Sequence, residues 1–263
     1  MIDLHSHILP GIDDGAKDIE MSLAMARLAI ADGTTHIACT PHFMPGVYEN
    51  NLPVITKLIA ALEIAFLENN INLTLIRGGD IHIAPDIAEK LSNGTLPTLG
   101  TSKYFLFEPP HHVVPPGIKQ LCKGIINAGY MPVLTHPERL TWIENNYQLI
   151  CALDELGVVV QITAGSITGT FGKRAQYWSE RMLDEGRVDI IASDAHNTGS
   201  RPPGLSRARD AITKRLSEEA ATLMVQVNPE CILQNLLVSS KPEKHVIKSK
   251  PEKKGLLKRM GFE

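Results

Sequence analysis

Cysteine is scarce in this chain: Cys39, Cys122, Cys151 and Cys231 lie far apart, and no Cys-x-x-Cys pair occurs. That spacing argues against a thiolate zinc site or a dithiol redox centre and leaves four free thiols, which suit a reducing cytoplasm. No apolar run reaches the roughly 18 residues of a membrane span. The N-terminal stretch Met1-Ile2-Asp3-Leu4-His5 has neither the basic nor the apolar region of a secretion signal. Also missing are a Gly-rich nucleotide loop of the form G-x-x-x-x-G-K-[ST] and a Cys-x5-Arg phosphatase loop, so thiol-based phosphoryl chemistry is disfavoured. Net charge is only −3 over 263 residues, which gives no reason to expect nucleic acid as the main partner.

The charge that is present is uneven. Residues 241–263 hold eight Lys/Arg against three Glu, which makes +5 there and leaves −8 for the rest. The chain is therefore expected to be one domain over residues 1–240 followed by a mobile basic tail. With 43% apolar residues the main part can bury a single large core.

Short β-branched runs alternate with helical patterns. Strands are predicted over residues 2–5, 36–40, 73–78, 104–107, 132–135, 158–162 and 188–193. Between the first two, Ile19, Leu23, Ala26 and Ile30 recur at helical spacing, with Asp18 as the cap and Gly33 as the stop. Further helices are predicted over about 52–67, 118–128, 147–156, 174–183, 205–216 and 218–227, and a last one is expected from Pro229 with Asn228 as its cap. Strands alternating with helices imply an α/β fold with parallel strands, and seven such units fit a distorted (β/α)7 TIM-like barrel.

Candidate chemistry follows the predicted strand ends. His5 and His7 come after the first strand, His42 after the second, Asp80 after the third, Glu108 after the fourth, His136 after the fifth, and Asp194 with His196 after the last. Parallel strands in a barrel point their C-terminal ends at one rim, so these residues converge there. Imidazole and carboxylate ligands without thiolate suit Mn, Fe, Zn or Mg. Paired ions make hydrolysis the expected reaction class. Arg139 and Arg201, each close behind a candidate ligand, point to phosphate. Asp13-Asp14-Gly15 by itself reads as a turn. The remaining histidines, His36, His82, His111, His112 and His245, read as ordinary structural residues.

Five segments together, Asp3-Leu4-His5-Ser6-His7, Pro10-Gly11-Ile12-Asp13-Asp14-Gly15, Thr40-Pro41-His42, His136-Pro137-Glu138-Arg139 and Ser193-Asp194-Ala195-His196-Asn197, resemble the polymerase and histidinol phosphatase (PHP) superfamily. Within it the likeness is to the bacterial metal-dependent tyrosine phosphatases of capsule and exopolysaccharide operons, and it covers residues 1 to about 237. The resemblance implies two or three divalent ions, manganese first among them. His5, His7 and Asp194 would hold one, Glu108 and His136 a second, and Asp14, His42 and His196 a third. Position 80 would bridge; the family usually has Glu there, whereas this chain has Asp80. Arg139, Arg201 and the ligand His42 are the catalytic residues so implied. A cognate tyrosine kinase is the implied partner, and the basic tail offers contact with an anionic membrane surface. Two other readings use the same residues: a small-molecule phosphatase of the histidinol phosphate type, and a non-catalytic metal-binding docking module.

Overall fold

The computed structural model describes residues 1–238, so the basic tail and His245 lie outside the described residues. Among the described residues nine strands form: β1 (Ile2–Ser6), β2 (His36–Cys39), β3 (His42–Phe43), β4 (Thr74–Arg77), β5 (Asp80–His82), β6 (Tyr104–Glu108), β7 (Met131–Thr135), β8 (Val159–Thr163) and β9 (Ile190–Ala192). Around them run α1 (Ile19–Ala31), α2 (Leu52–Glu68), α3 (Ile87–Ser92), α4 (Ile118–Asn127), α5 (Ile143–Leu156), α6 (Ala164–Ile167), α7 (Gly172–Asp184), α8 (Ser206–Arg215), α9 (Glu218–Thr222) and α10 (Asn228–Leu233). None of the described helices is long and apolar enough to cross a membrane.

All the strand pairings are parallel, but the ladder does not close into one barrel. The order is β1-β2-β4 in one sheet and β3-β5-β6-β7-β8-β9 in the other. The cause is visible just after two of the predicted strands, 36–40 and 73–78, each of which is followed by a short further strand outside the predicted range, β3 and β5. Pro41 has no N–H to give a ladder and separates β2 from β3. Gly78 and Gly79 separate β4 from β5 where other groups crowd the backbone. A Cβ on Gly78 would lie 2.8 Å from Thr40 Cγ2, and one on Gly79 would lie 2.7 Å from both Phe43 and Pro97.

The two sheets nevertheless share a centre. One apolar cluster collects Leu4, Ala38, Ile76, Leu106, Val133, Val159 and Ile190, from β1, β2, β4, β6, β7, β8 and β9. Ser6 also forms a parallel bridge with Ala195, and the Asp194 N–H donates to the His5 carbonyl at 2.9 Å, so β1 abuts the segment after β9. β1, β6 and β8 are buried along their whole length, as strands covered on both faces must be.

The helices form largely where periodicity placed them. Asp18 caps α1 by accepting the Met21 N–H at 2.8 Å, and Gly33 follows with φ +91°. Asn228 differs from its expected role as a cap. The chain stays helical through a π turn at Leu223–Val227 into α10, Asn228 has φ −65° and ψ −43°, and its buried amide donates to the Asp189 carbonyl at 2.8 Å. A long-range partner thus replaces the local capping bond.

Candidate metal centre

Strand register brings the polar residues together. In the β3–β5 pair His42 sits opposite Asp80, and in the β5–β6 pair His82 sits opposite Glu108. Alternate residues of a strand share a face, so Glu108 follows Leu106, and Gln161 follows Val159, on the side of the common apolar cluster. β1 reaches the site differently, because its register against β2 shifts between Asp3 and Ser6. His136 and Asp194 are placed by backbone in the left-handed region, with φ +34° and +52°. Such conformations are uncommon for residues with a Cβ and are held here by the surrounding structure.

All nine sequence-expected ligands meet. His7, Asp14, His42 and His196 form one group whose ligand atoms lie within 4.8 Å of one another; His5, His136 and Asp194 form another, and His42, Asp80 and Glu108 a third. Asp80 is central: its Oδ2 lies 3.5 Å from His5 Nε2 and 3.4 Å from His42 Nδ1. Asp14 Oδ1 lies 3.5 Å from both His42 Nε2 and His196 Nε2. Asp194 Oδ1 lies 3.4 Å from His5 Nε2 and 3.5 Å from His7 Nε2.

These separations exceed a good hydrogen bond. They match instead the roughly 3–4 Å between two atoms that are each about 2.1 Å from a shared ion. Both oxygens of the fully buried Asp80, Glu108 Oε2 and His42 Nδ1 have no hydrogen-bond partner. Stranded carboxylate oxygens in a buried site are costly, and a cluster of divalent cations is the partner that their donor chemistry fits.

The ring orientations are set from behind. His5 Nδ1 meets Gln161 Oε1 at 2.9 Å, His7 Nδ1 meets Asp13 Oδ2 at 2.7 Å, and His196 Nδ1 meets the Asp194 carbonyl at 3.0 Å. In each case Nε2 is left facing the cluster. Burial works against a charged His7, yet the Asp13 carboxylate raises its pKa to about 9. Burial likewise opposes charge on His42, and Asp80 and Glu108 overcome it, raising the pKa to about 11. His136 is held well below the usual histidine range by burial and then by the charge of Arg139. Asp194 shows the reverse: burial favours its neutral form, but His5, His7, Arg139 and Arg201 hold it well below the usual carboxylate range.

Arg139 and Arg201 converge on one atom. Both guanidiniums donate to Asp194 Oδ2, Arg201 from 2.6 Å. Their Cζ atoms lie 4.7 and 5.8 Å from the centre of the Phe171 ring. At the opposite side Tyr48 stacks on His42, with centroids 5.5 Å apart and planes 16° from parallel.

Sequence reasoning missed several members. His111 Nε2 lies 3.6 Å from Glu108 Oε1, and His82 Nδ1 lies 3.8 Å from Glu108 Oε2, so two histidines expected to be structural border the site. Asp80-x-His82 repeats the spacing of His5-x-His7, and that signal was available. His36, by contrast, starts β2 at the end away from the site, and His112 Nδ1 lies near Thr141 Oγ1, 3.5 Å away. Gln161, on the one expected strand that delivered no ligand, and Asp13 carried no signal of their orienting roles.

Residues 1–234 match the family described as capsular polysaccharide synthesis, CpsB/CapC. The chain belongs to that family. It is 35% identical over 250 residues to the tyrosine-protein phosphatase YwqE of Bacillus subtilis, an alignment covering 95% of this chain and 98% of YwqE. It is 32% identical over 247 residues to the tyrosine-protein phosphatase CpsB of Streptococcus pneumoniae, covering 90% of this chain and all of CpsB. Among solved structures, one from work on YwqE and CpsB, described as unique metal-dependent tyrosine phosphatases, superposes with a TM-score of 0.88 at 35% identity, covering 92% of this chain and 98% of the other. A histidinol phosphate phosphatase from Lactococcus lactis superposes at 0.53 with 14% identity, over 81% of this chain and 94% of that one, which is a likeness of fold.

Proposed function

We propose that this chain is a metal-dependent tyrosine-protein phosphatase of the cytoplasm, with residues 1–240 as its catalytic unit. The observation that carries the reading is the cluster of buried, unpartnered carboxylate and imidazole atoms around Asp80, with two arginines beside it on Asp194. The family relationship supports the substrate class. We read the two sheets as one distorted seven-unit barrel, supported by the apolar cluster common to seven strands and the Ser6–Ala195 bridge.

His5, His7, Asp14, His42, Asp80, Glu108, His136, Asp194 and His196 would hold two or three divalent ions, with Mn²⁺ the first choice. When bound, such ions clamp a phosphoryl group and acidify water between them. Arg139 and Arg201 are the catalytic cations: a guanidinium fork matches phosphate oxygens, and the Phe171 ring lies within cation–π reach of both. His42 orients from the rim, its ring braced by Tyr48. Phenolate leaves as a group of pKa about 10, so a dedicated proton donor contributes little. The protein substrate we propose is a cognate tyrosine kinase of capsule or exopolysaccharide synthesis. The four cysteines, all free, suit the reducing compartment that contains such a kinase's catalytic domain.

The test is phosphate release from a phosphotyrosine peptide by metal-stripped protein, with and without Mn²⁺, and with histidinol phosphate in parallel. Mn²⁺-dependent turnover of the peptide is expected. Preference for histidinol phosphate would move the assignment to small-molecule metabolism, and turnover of neither would leave a docking module. Arg139→Ala is expected to lose turnover while keeping its metals; full turnover would remove the phosphate role given to Arg139.

A further inference from the structure

We propose that His111 is a metal ligand, completing with Glu108 and His136 a subsite of two imidazoles and one carboxylate. The inference rests on the reading of this centre as a metal cluster and adds a residue that the family's ligand pattern, as set out above, does not contain.

Geometry comes first. His111 Nε2 and His136 Nε2 lie 3.6 and 3.7 Å from the same oxygen, Glu108 Oε1. The three residues form a group whose ligand atoms are all within 4.8 Å of one another, and the two rings are 5.2 Å apart between centroids. Neither contact is short enough for a good hydrogen bond, whereas both fit two donors that share an ion about 2.1 Å from each. The other oxygen, Glu108 Oε2, faces His42 and His82 and is itself without a hydrogen-bond partner.

Preorganisation is the second argument. His111 follows Pro109-Pro110, which restrict the approach of the chain. Its carbonyl accepts from both the N–H and the Oγ1 of Thr141 at 2.9 Å, and the Trp142 indole donates to the Pro110 carbonyl at 2.9 Å. The backbone of the Glu108–His111 turn is therefore tied to the segment just after Arg139. These ties position the His111 ring without using its nitrogens.

The chemistry gives the consequence. A His2Glu set with room for a further ligand is the donor set of catalytic zinc sites. Imidazole-rich sites favour Zn²⁺ and similar ions over Mn²⁺ or Mg²⁺, which prefer oxygen. His111 thus biases one ion of the cluster toward the softer metals, and its loss weakens Zn²⁺ and Co²⁺ more than Mn²⁺.

The experiment uses the full chain, stripped of metal and titrated with Co²⁺, Zn²⁺ and Mn²⁺, reading stoichiometry by calorimetry and ligand field by Co²⁺ absorption. His111→Phe and His111→Gln are compared with His112→Ala, its neighbour. Both His111 variants are expected to lose one ion, or to bind it more weakly by more than the roughly 10–100-fold typical of an outer partner, with an altered Co²⁺ spectrum; His112→Ala stays as wild type. The side chain of His111 is 32% exposed, so either variant should fold. Unchanged stoichiometry, affinity and spectrum in both His111 variants would overturn the proposal while leaving the metal centre intact. Wild-type protein that binds no divalent ion would instead remove the functional reading and this inference with it.

Discussion

Asp13 is the sharpest place to test how the centre is built, because its buried carboxylate serves three donors at once. Oδ2 accepts from His7 Nδ1 at 2.7 Å and from the His42 backbone N–H at 3.1 Å, while Oδ1 accepts from the Gly15 N–H at 2.9 Å. Asp13→Ala removes all three acceptors. Losing the outer partner of a ligating histidine costs about 10–100-fold in metal affinity, or about 1.4–2.7 kcal/mol at 1.36 kcal/mol per decade. Stranding backbone donors adds about 1–3 kcal/mol of lost stability even without metal. Asp13→Asn separates the two effects. Its amide keeps one acceptor but must present N–H to one of the donors, so it either forces His7 into the wrong tautomer or expels the Gly15 N–H. Asp13→Asn should therefore melt closer to wild type than Asp13→Ala, yet still lose metal affinity. Calorimetric Mn²⁺ titration and thermal unfolding of the metal-free proteins measure both quantities. If Asp13→Asn binds metal within about twofold of wild type, the outer-partner effect of the usual size is absent and Asp13 does not set the His7 tautomer.

Three further changes probe the supports around the centre. In Gly15→Ala the new Cβ would lie 2.1 Å from the His7 carbonyl oxygen and 2.4 Å from His7 Cβ. Backbone cannot yield that far, so Asp14 is displaced and the count of bound ions, read by elemental analysis, should fall by one. Asp32→Ala removes the carboxylate that accepts from the Leu205 and Ser206 N–H groups at 2.6 and 2.9 Å and so caps α8 from the end of α1. It should cost about 1–2 kcal/mol in urea unfolding with metal stoichiometry unchanged. Glu138→Ala strands the Thr163 N–H and the Ser166 hydroxyl, which donate to the buried Oε1 at 2.9 and 2.7 Å. A loss of about 1–3 kcal/mol per stranded donor is expected in thermal melts, while Glu138→Gln, which keeps an acceptor, should lose less. Equal losses in the two variants would mean that Oε1 is not the anchor.

The proposed ligands were legible because each motif pairs a predicted strand end with an imidazole or carboxylate, and parallel strands turn that order into convergence. His5, His7, His42, Asp80, Glu108, His136, Asp194 and His196 needed nothing more. Asp14 needed the family resemblance, since the same segment reads as a turn. That turn also exists: Asp13 accepts the Gly15 N–H two residues on, so one carboxylate both makes the turn and orients His7. The break of the ladder was not legible, although Pro41 and the Gly78-Gly79 pair are plain in the sequence. Whether a proline interrupts a strand or sits at its edge depends on what lies beside it, and that is tertiary information. His111 was hidden for a similar reason, because its placement depends on Thr141 and Trp142.

Arg139 and Arg201 show the same division between local signal and distant support. Arg201 closes its own loop: its N–H donates to Asn197 Oδ1 at 3.1 Å, and its carbonyl accepts from the His196 and Asn197 N–H groups at 2.9 and 3.2 Å. The Asp-Ala-His-Asn segment and its arginine are thus one short unit, which is why they read together in sequence. Arg139 depends on distant support, through Glu138 anchored to β8 and α6. Two independently built loops deliver their guanidiniums to a single oxygen of Asp194 and to the neighbourhood of one ring, Phe171. Since Asp194 Oδ1 also lies 3.4 and 3.5 Å from the Nε2 atoms of His5 and His7, the arginines adjoin the proposed ion site through it. Arg139 and Arg201 should therefore be non-additive in turnover in a double-mutant cycle, as expected of groups that share a partner.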